Sequence, residues 1–145
     1  MRTVSWVLLA VVGVATLFFS LESALVAYRP ASPRVGQERI GPATLAEVAA
    51  THEGVETALR ARRGTAAAYA AGFGTLFLFV VLGPYRRGDV WSWWALLAST
   101  LVLAAVVLLR VPALGTRSGA GTALVQLGLV IVALLLDAGR LPARG

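Results

Sequence analysis

Residues Gly83 to Trp94, GPYRRGDVWSWW, separate two long apolar runs and read as a turn at a membrane surface. Gly83 and Pro84 are expected to stop one helix. Arg86 and Arg87 cannot enter hydrocarbon cheaply. Trp91, Trp93 and Trp94 open the next run with three of the chain's four tryptophans, the composition of an interfacial aromatic belt. Arg86, Arg87, Trp91, Trp93 and Trp94 are therefore expected to anchor the chain at the membrane interface.

Outward from this turn, the composition agrees. Of 145 residues, 58% are hydrophobic and only 14% charged, a poor match to a soluble globular domain. A bilayer core takes about 20 apolar residues per helix. The length has room for four such helices and one sizeable loop. The expected fold is all-α: an integral membrane four-helix bundle forming a single transmembrane domain over residues 1–145, with an amphipathic helix in its long first loop. The spans are placed at about 4–28, 65–83, 91–111 and 119–137, and the loop at 29–63. The expected location is the cell membrane, with several passes.

The first span has a signal-peptide alternative, since it has a basic start and small residues near its end. Its apolar run is long for that role and lacks a clear A-x-A site, so a retained helix is preferred. In the loop, RPASPRVGQERIGP is rich in proline and glycine and reads as irregular. Thr44 followed by Glu47 fits a capping box. Leu45, Val48, His52, Val55 and Leu59 then recur at helical spacing, one face of an amphipathic helix that Gly54 weakens. Further on, Arg110 and Pro112 are expected to end the third span, Gly115 to Gly119 to form a turn, and LPARG to be a short tail.

The net charge is +6, from 13 arginines and no lysine, and the chain has no cysteine. Disulfides, thiolate nucleophiles and cysteine metal sites are thereby excluded. The arginines sit at the ends of apolar runs, so they point to topology and lipid headgroups; no nucleic-acid partner is expected. Orientation is nearly balanced. With the amino terminus inside, five arginines face the cytoplasm and eight the other side. That count opposes the usual insertion of a helix with a basic start, and the amino-terminus-inside arrangement is only narrowly preferred.

In lipid, small and polar residues mark helix contacts. The expected packing stripes are Ser5, Val12, Thr16, Phe19 and Ser23 on the first span and Thr65, Ala68, Gly72 and Thr75 on the second. On the third they are Ser92, Ala95, Ser99, Val102 and Val106. On the fourth they are Gly119, Ala123, Gln126, Val130, Ala133 and Asp137.

The candidate chemistry is sparse. Glu22 lies near the loop end of the first span, where an ionisable group is either a functional residue or an interfacial carboxylate. Glu22, His52, Tyr69 and Gln126 fall on the loop side and are expected to line a polar pocket capped by the loop helix; mutual structural hydrogen bonding is the competing role. His52, Glu53 and Glu56 form H-E-x-x-E, but a zincin needs a second histidine and the chain has one. No metal, no cofactor and no catalytic residue are assigned.

Tyr85-Arg86-Arg87-Gly88 followed by Trp91-Ser92-Trp93-Trp94 resembles a turn of small bacterial four-span membrane proteins loosely grouped as DoxX-like, many of them uncharacterised. The resemblance covers the second and third spans and carries over no catalytic residue. Small multidrug-resistance transporters also have a glutamate in the first helix, but near mid-membrane and without a long loop. The four-span glutathione-transferase-like enzymes have an arginine- and asparagine-rich loop motif that is not evident here.

The expected function is that of a non-enzymatic accessory subunit or a binding protein for lipid or a small hydrophobic molecule. Its partners would be the bilayer and either a protein partner or further copies of the chain. The alternative is a membrane enzyme or carrier using the pocket around Glu22.

Overall fold

A computed structural model describes residues 2–29, 37, 39–40, 42–115 and 119–141. Most of the irregular first loop, Arg117 and the final tail lie outside the described residues. The chain is all-α apart from one two-residue ribbon. Helix α1 spans Arg2–Tyr28. Strands β1 (Arg39–Ile40) and β2 (Ala43–Thr44) pair antiparallel, with Arg39 opposite Thr44. Then come α2 (Leu45–Thr51) and α3 (Val55–Val80), which continues into a π-helical turn at Val81–Tyr85. Next are α4 (Val90–Leu108), α5 (Arg110–Leu114), α6 (Ala120–Leu135) and a 3-10 turn at Ala138–Arg140.

Three segments are long and apolar enough to cross a membrane: Thr3–Tyr28, Val55–Tyr85 and Val90–Ala113. The fourth expected span forms α6, which has 16 residues. At 1.5 Å per residue it is about 24 Å long, short of a hydrocarbon core of about 30 Å.

Several boundaries differ from the sequence expectation. The capping box is present: the Glu47 amide donates to Thr44 Oγ1 at 3.3 Å, and the Thr44 amide donates to Glu47 Oε2 at 2.7 Å. The helix it starts is short, however. His52 caps it in an extended conformation, and Gly54 takes a positive φ of 86°, a conformation that costs glycine little. The chain restarts as a helix at Val55, so residues 55–63 are the first turns of a long apolar helix and no separate loop helix spans the stretch.

Gly83 and Pro84 do not stop that helix. Proline lacks an amide hydrogen and its ring crowds the carbonyl four residues earlier. The π turn accommodates both, with the Arg86 amide reaching back to the Val81 carbonyl, and the helix stops only at Gly88. Likewise Pro112 does not end the third span. It is the third residue of α5, in a first turn where an amide has no intrahelical partner to lose.

The chain divides into two compact units: Met1–Val14 with Thr75–Gly145, and Ala15–Gly74. In the first unit α4 packs along α6 and against the π turn. Its core holds Leu9, Val12, Phe77, Val81, Tyr85, Trp93 and Leu96. Gly13 lets α1 approach α3 closely: a Cβ there would sit 2.7 Å from Leu78 Cδ2 and 3.2 Å from Phe77 Cδ1. In the second unit the Arg63 Nε donates to Ser23 Oγ at 3.3 Å, and Arg60 Nη1 donates to the Arg29 carbonyl at 3.1 Å just beyond the end of α1. Arg60 also pairs with Glu56 at 2.6 Å.

The packing stripes agree best on α6, where Ala123, Val130, Ala133 and Asp137 are buried. On α4 the buried line is Ser92, Trp93, Leu96, Thr100 and Ala104, while Val102 and Val106 are exposed. On α3 the expected stripe is turned outward: Thr65, Ala68, Gly72 and Thr75 are all exposed, and Gly64, Ala67, Gly74 and Phe77 are buried. On α1, Ser5 and Val12 are buried as expected, but Phe19 is exposed.

Candidate functional site

The polar interior of the first unit is concentrated where α1 begins and α3 and α6 end. Ser5 lies in the first turn of α1. Its hydroxyl donates to the Ala133 carbonyl at 2.7 Å and lies 2.6 Å from the Tyr85 hydroxyl. A serine hydroxyl has one proton. With that proton on the Ala133 carbonyl, Tyr85 donates to Ser5. Tyr85 and Ser5 are both fully buried. The Trp93 indole N–H, from the first turn of α4, donates to the Leu134 carbonyl at 3.0 Å.

These bonds account for the end of α6. The last carbonyls of a helix lack intrahelical partners. Here the Asp137 amide turns to the Leu134 carbonyl at 3.2 Å, and Ser5 reaches the Ala133 carbonyl. Side chains from α1 and α4 thus close the terminus of α6 and tie these helices together with the end of α3. Asp137 is buried beside this terminus. Thr100 and Ser92 bond back to their own helix, to the Leu96 and Asp89 carbonyls.

On the surface of the same unit, Arg86 and Arg87 are exposed, as are Trp91 and Trp94. The Arg86 guanidinium carbon lies 5.0 Å from the centroid of the Trp6 ring, within cation–π range. Trp93 has turned inward, unlike the tryptophans on either side of Ser92 and next to it in sequence.

Of the expected pocket residues, Glu22, His52 and Tyr69 belong to the second unit and Gln126 to the first. Glu22 and His52 are exposed, Tyr69 is 78% exposed, and Gln126 is half-buried on α6. Thr51 Oγ1 donates to the Val48 carbonyl at 3.0 Å and lies 2.9 Å from His52 Nδ1. By the same one-proton argument, His52 Nδ1–H is the donor in that contact. Glu56, the last residue of H-E-x-x-E, is engaged with Arg60. Among the described residues no group of three histidine, aspartate or glutamate side chains is placed to hold a metal ion. Glu47 is the one residue whose acidity clearly shifts. The Thr44 backbone amide, and then its hydroxyl, hold the carboxyl below the usual carboxylate range.

Sequence reasoning missed the Ser5–Tyr85–Ala133 link, because a tyrosine next to two arginines reads as interfacial. The signal that marks it is Phe77, Val81 and Tyr85, recurring every four residues on one face. No protein-family model matches the chain, and neither a curated protein nor a solved structure matches it.

Proposed function

We propose that this chain is a multi-pass membrane protein without catalytic activity of its own, serving as an accessory subunit or as a binder of lipid or another small hydrophobic molecule. The observation that carries the membrane part is an inverted distribution of polarity. Ser5, Ser92, Thr100 and Asp137 are buried, while Phe18, Phe19, Leu76, Phe79, Val102, Val106 and Leu135 are exposed. Exposed apolar surface on that scale marks a surface that meets lipid or a partner. In hydrocarbon the same arrangement is favourable, since polar groups find partners only inside.

The non-enzymatic part is supported by how the buried hydroxyls and the indole are used. Ser5, Tyr85 and Trp93 each join one helix to another, which is structural work. In this reading α6 completes a four-span bundle, its shortness accommodated by local thinning of the bilayer and by the turns that follow it.

Native mass spectrometry of the protein, extracted gently from its own membrane, tests the proposal. A retained lipid, small hydrophobic molecule or protein partner is expected. Turnover of a lipid or quinone by the isolated protein would overturn it.

A further inference from the structure

All four tryptophans of the chain belong to the first unit: Trp6 near the start of α1, and Trp91, Trp93 and Trp94 in the opening turns of α4. The turn between α3 and α4 adds Arg86 and Arg87, adjacent and exposed. Asp89 is the one acidic residue of that turn and is also exposed, so the turn itself carries a net charge of +1, and Arg2 stands one helical turn before Trp6. With Arg86 stacked at 5.0 Å from the Trp6 centroid, one face of its guanidinium is covered by the indole. A guanidinium covered on its face recognises anions with its N–H edge, and that planar edge matches a phosphate oxygen pair. Indole rings at this level sit at the boundary between headgroups and acyl chains.

We propose that this end of the first unit is a binding site for the headgroup of an anionic phospholipid. Arg86 and Arg87 hold the phosphate and its negatively charged headgroup, and the exposed Trp91 and Trp94 rings lie along the glycerol and upper acyl region. The arginines supply the preference for an anionic lipid, since zwitterionic headgroups satisfy the tryptophans equally well. Each arginine near an anionic surface strengthens association by roughly fivefold, so the pair gives on the order of tenfold or more. The proposal rests on the membrane reading above and adds the class of lipid and the residues that select it.

The location of the tryptophans makes the test direct, because tryptophan fluorescence reports on this unit alone. The full-length protein is reconstituted into vesicles containing brominated phosphatidylcholine or brominated phosphatidylglycerol at equal mole fraction, and quenching is compared. Expected is quenching by both lipids, with phosphatidylglycerol effective at a roughly tenfold lower mole fraction. The R86Q/R87Q variant loses that difference while still being quenched by phosphatidylcholine. The R39Q/R62Q variant, which removes the same charge from the second unit, keeps it. Equal quenching by the two lipids, or a preference that survives R86Q/R87Q, overturns the headgroup site and leaves the membrane reading standing. No quenching by either lipid overturns the membrane reading itself.

Discussion

Replacing Ser5 by alanine tests whether the buried link at the end of α6 holds the first unit together. The substitution removes two hydrogen bonds at once, to the Tyr85 hydroxyl and to the Ala133 carbonyl. Both groups stay in place without their partner. A buried polar group left without a partner costs about 1–3 kcal/mol, so S5A should destabilise by about 2–4 kcal/mol. Tyr85→Phe removes only the first bond, and Ser5 still donates to Ala133; about 0.5–1.5 kcal/mol is lost. In the double variant the Tyr85 hydroxyl is gone, so it should be less impaired than the sum of the single changes, with a coupling of about 1 kcal/mol. At about 2–4 °C per kcal/mol for a chain of this size, S5A should lower the melting temperature in detergent by about 10 °C and Y85F by about 3 °C. If Y85F proves as damaging as S5A, or the two changes simply add, the assignment of Ser5 as the central link is wrong.

Other consequences are open to direct measurement. Gly13→Ala should destabilise by about 1–3 kcal/mol through overpacking against Leu78. Gly72→Ala, with open space around its Cβ, should be neutral or stabilise by up to about 1 kcal/mol; thermal melts of the two variants separate these cases. Trp93→Phe should cost more stability than Trp91→Phe or Trp94→Phe, because only Trp93 is both buried and bonded to Leu134, and the same melts show the order. The Glu47 carboxyl, held below its ordinary range in the folded state, contributes stability that is present above its unfolded pKa and lost as pH falls through the folded value. A carboxyl NMR titration should show the depression, and Thr44→Ala should remove it. Glu22→Gln should leave folding, expression and cellular function unchanged; loss of function in a well-folded variant would shift the assignment to a carrier using that carboxylate.

Long-range order was legible in the sequence where hydrophobic length decided it. The three long apolar helices follow from runs that water would not tolerate, and the Thr44–Glu47 cap follows from side chains three residues apart. Punctuation was less legible. Gly83–Pro84 and Pro112 read as stops, yet a π turn at one and a helix start at the other absorb the missing amides. Gly54 read as a weak point and is a break. The small residues of α3 were a misleading guide to its inner face, because the contacts at Phe77, Val81 and Tyr85 are made by large side chains. Ser5 was on the expected stripe, but its partners lie 80 and 128 residues away, and no local pattern announces them.

The π turn at Val81–Tyr85 also makes the hairpin sensitive to chain length in a particular way. It accommodates one residue more than an α-helix would over the same rise. Deleting one residue there would restore α-helical phase and rotate everything after it by about 100°. Tyr85 would swing away from Ser5, and Arg86 or Arg87 would be brought toward the interior. Substitutions along this segment change one contact each, whereas a single-codon deletion would re-index the whole turn. The segment thus works as a phase adjuster, and it should tolerate changes of side chain far better than changes of length.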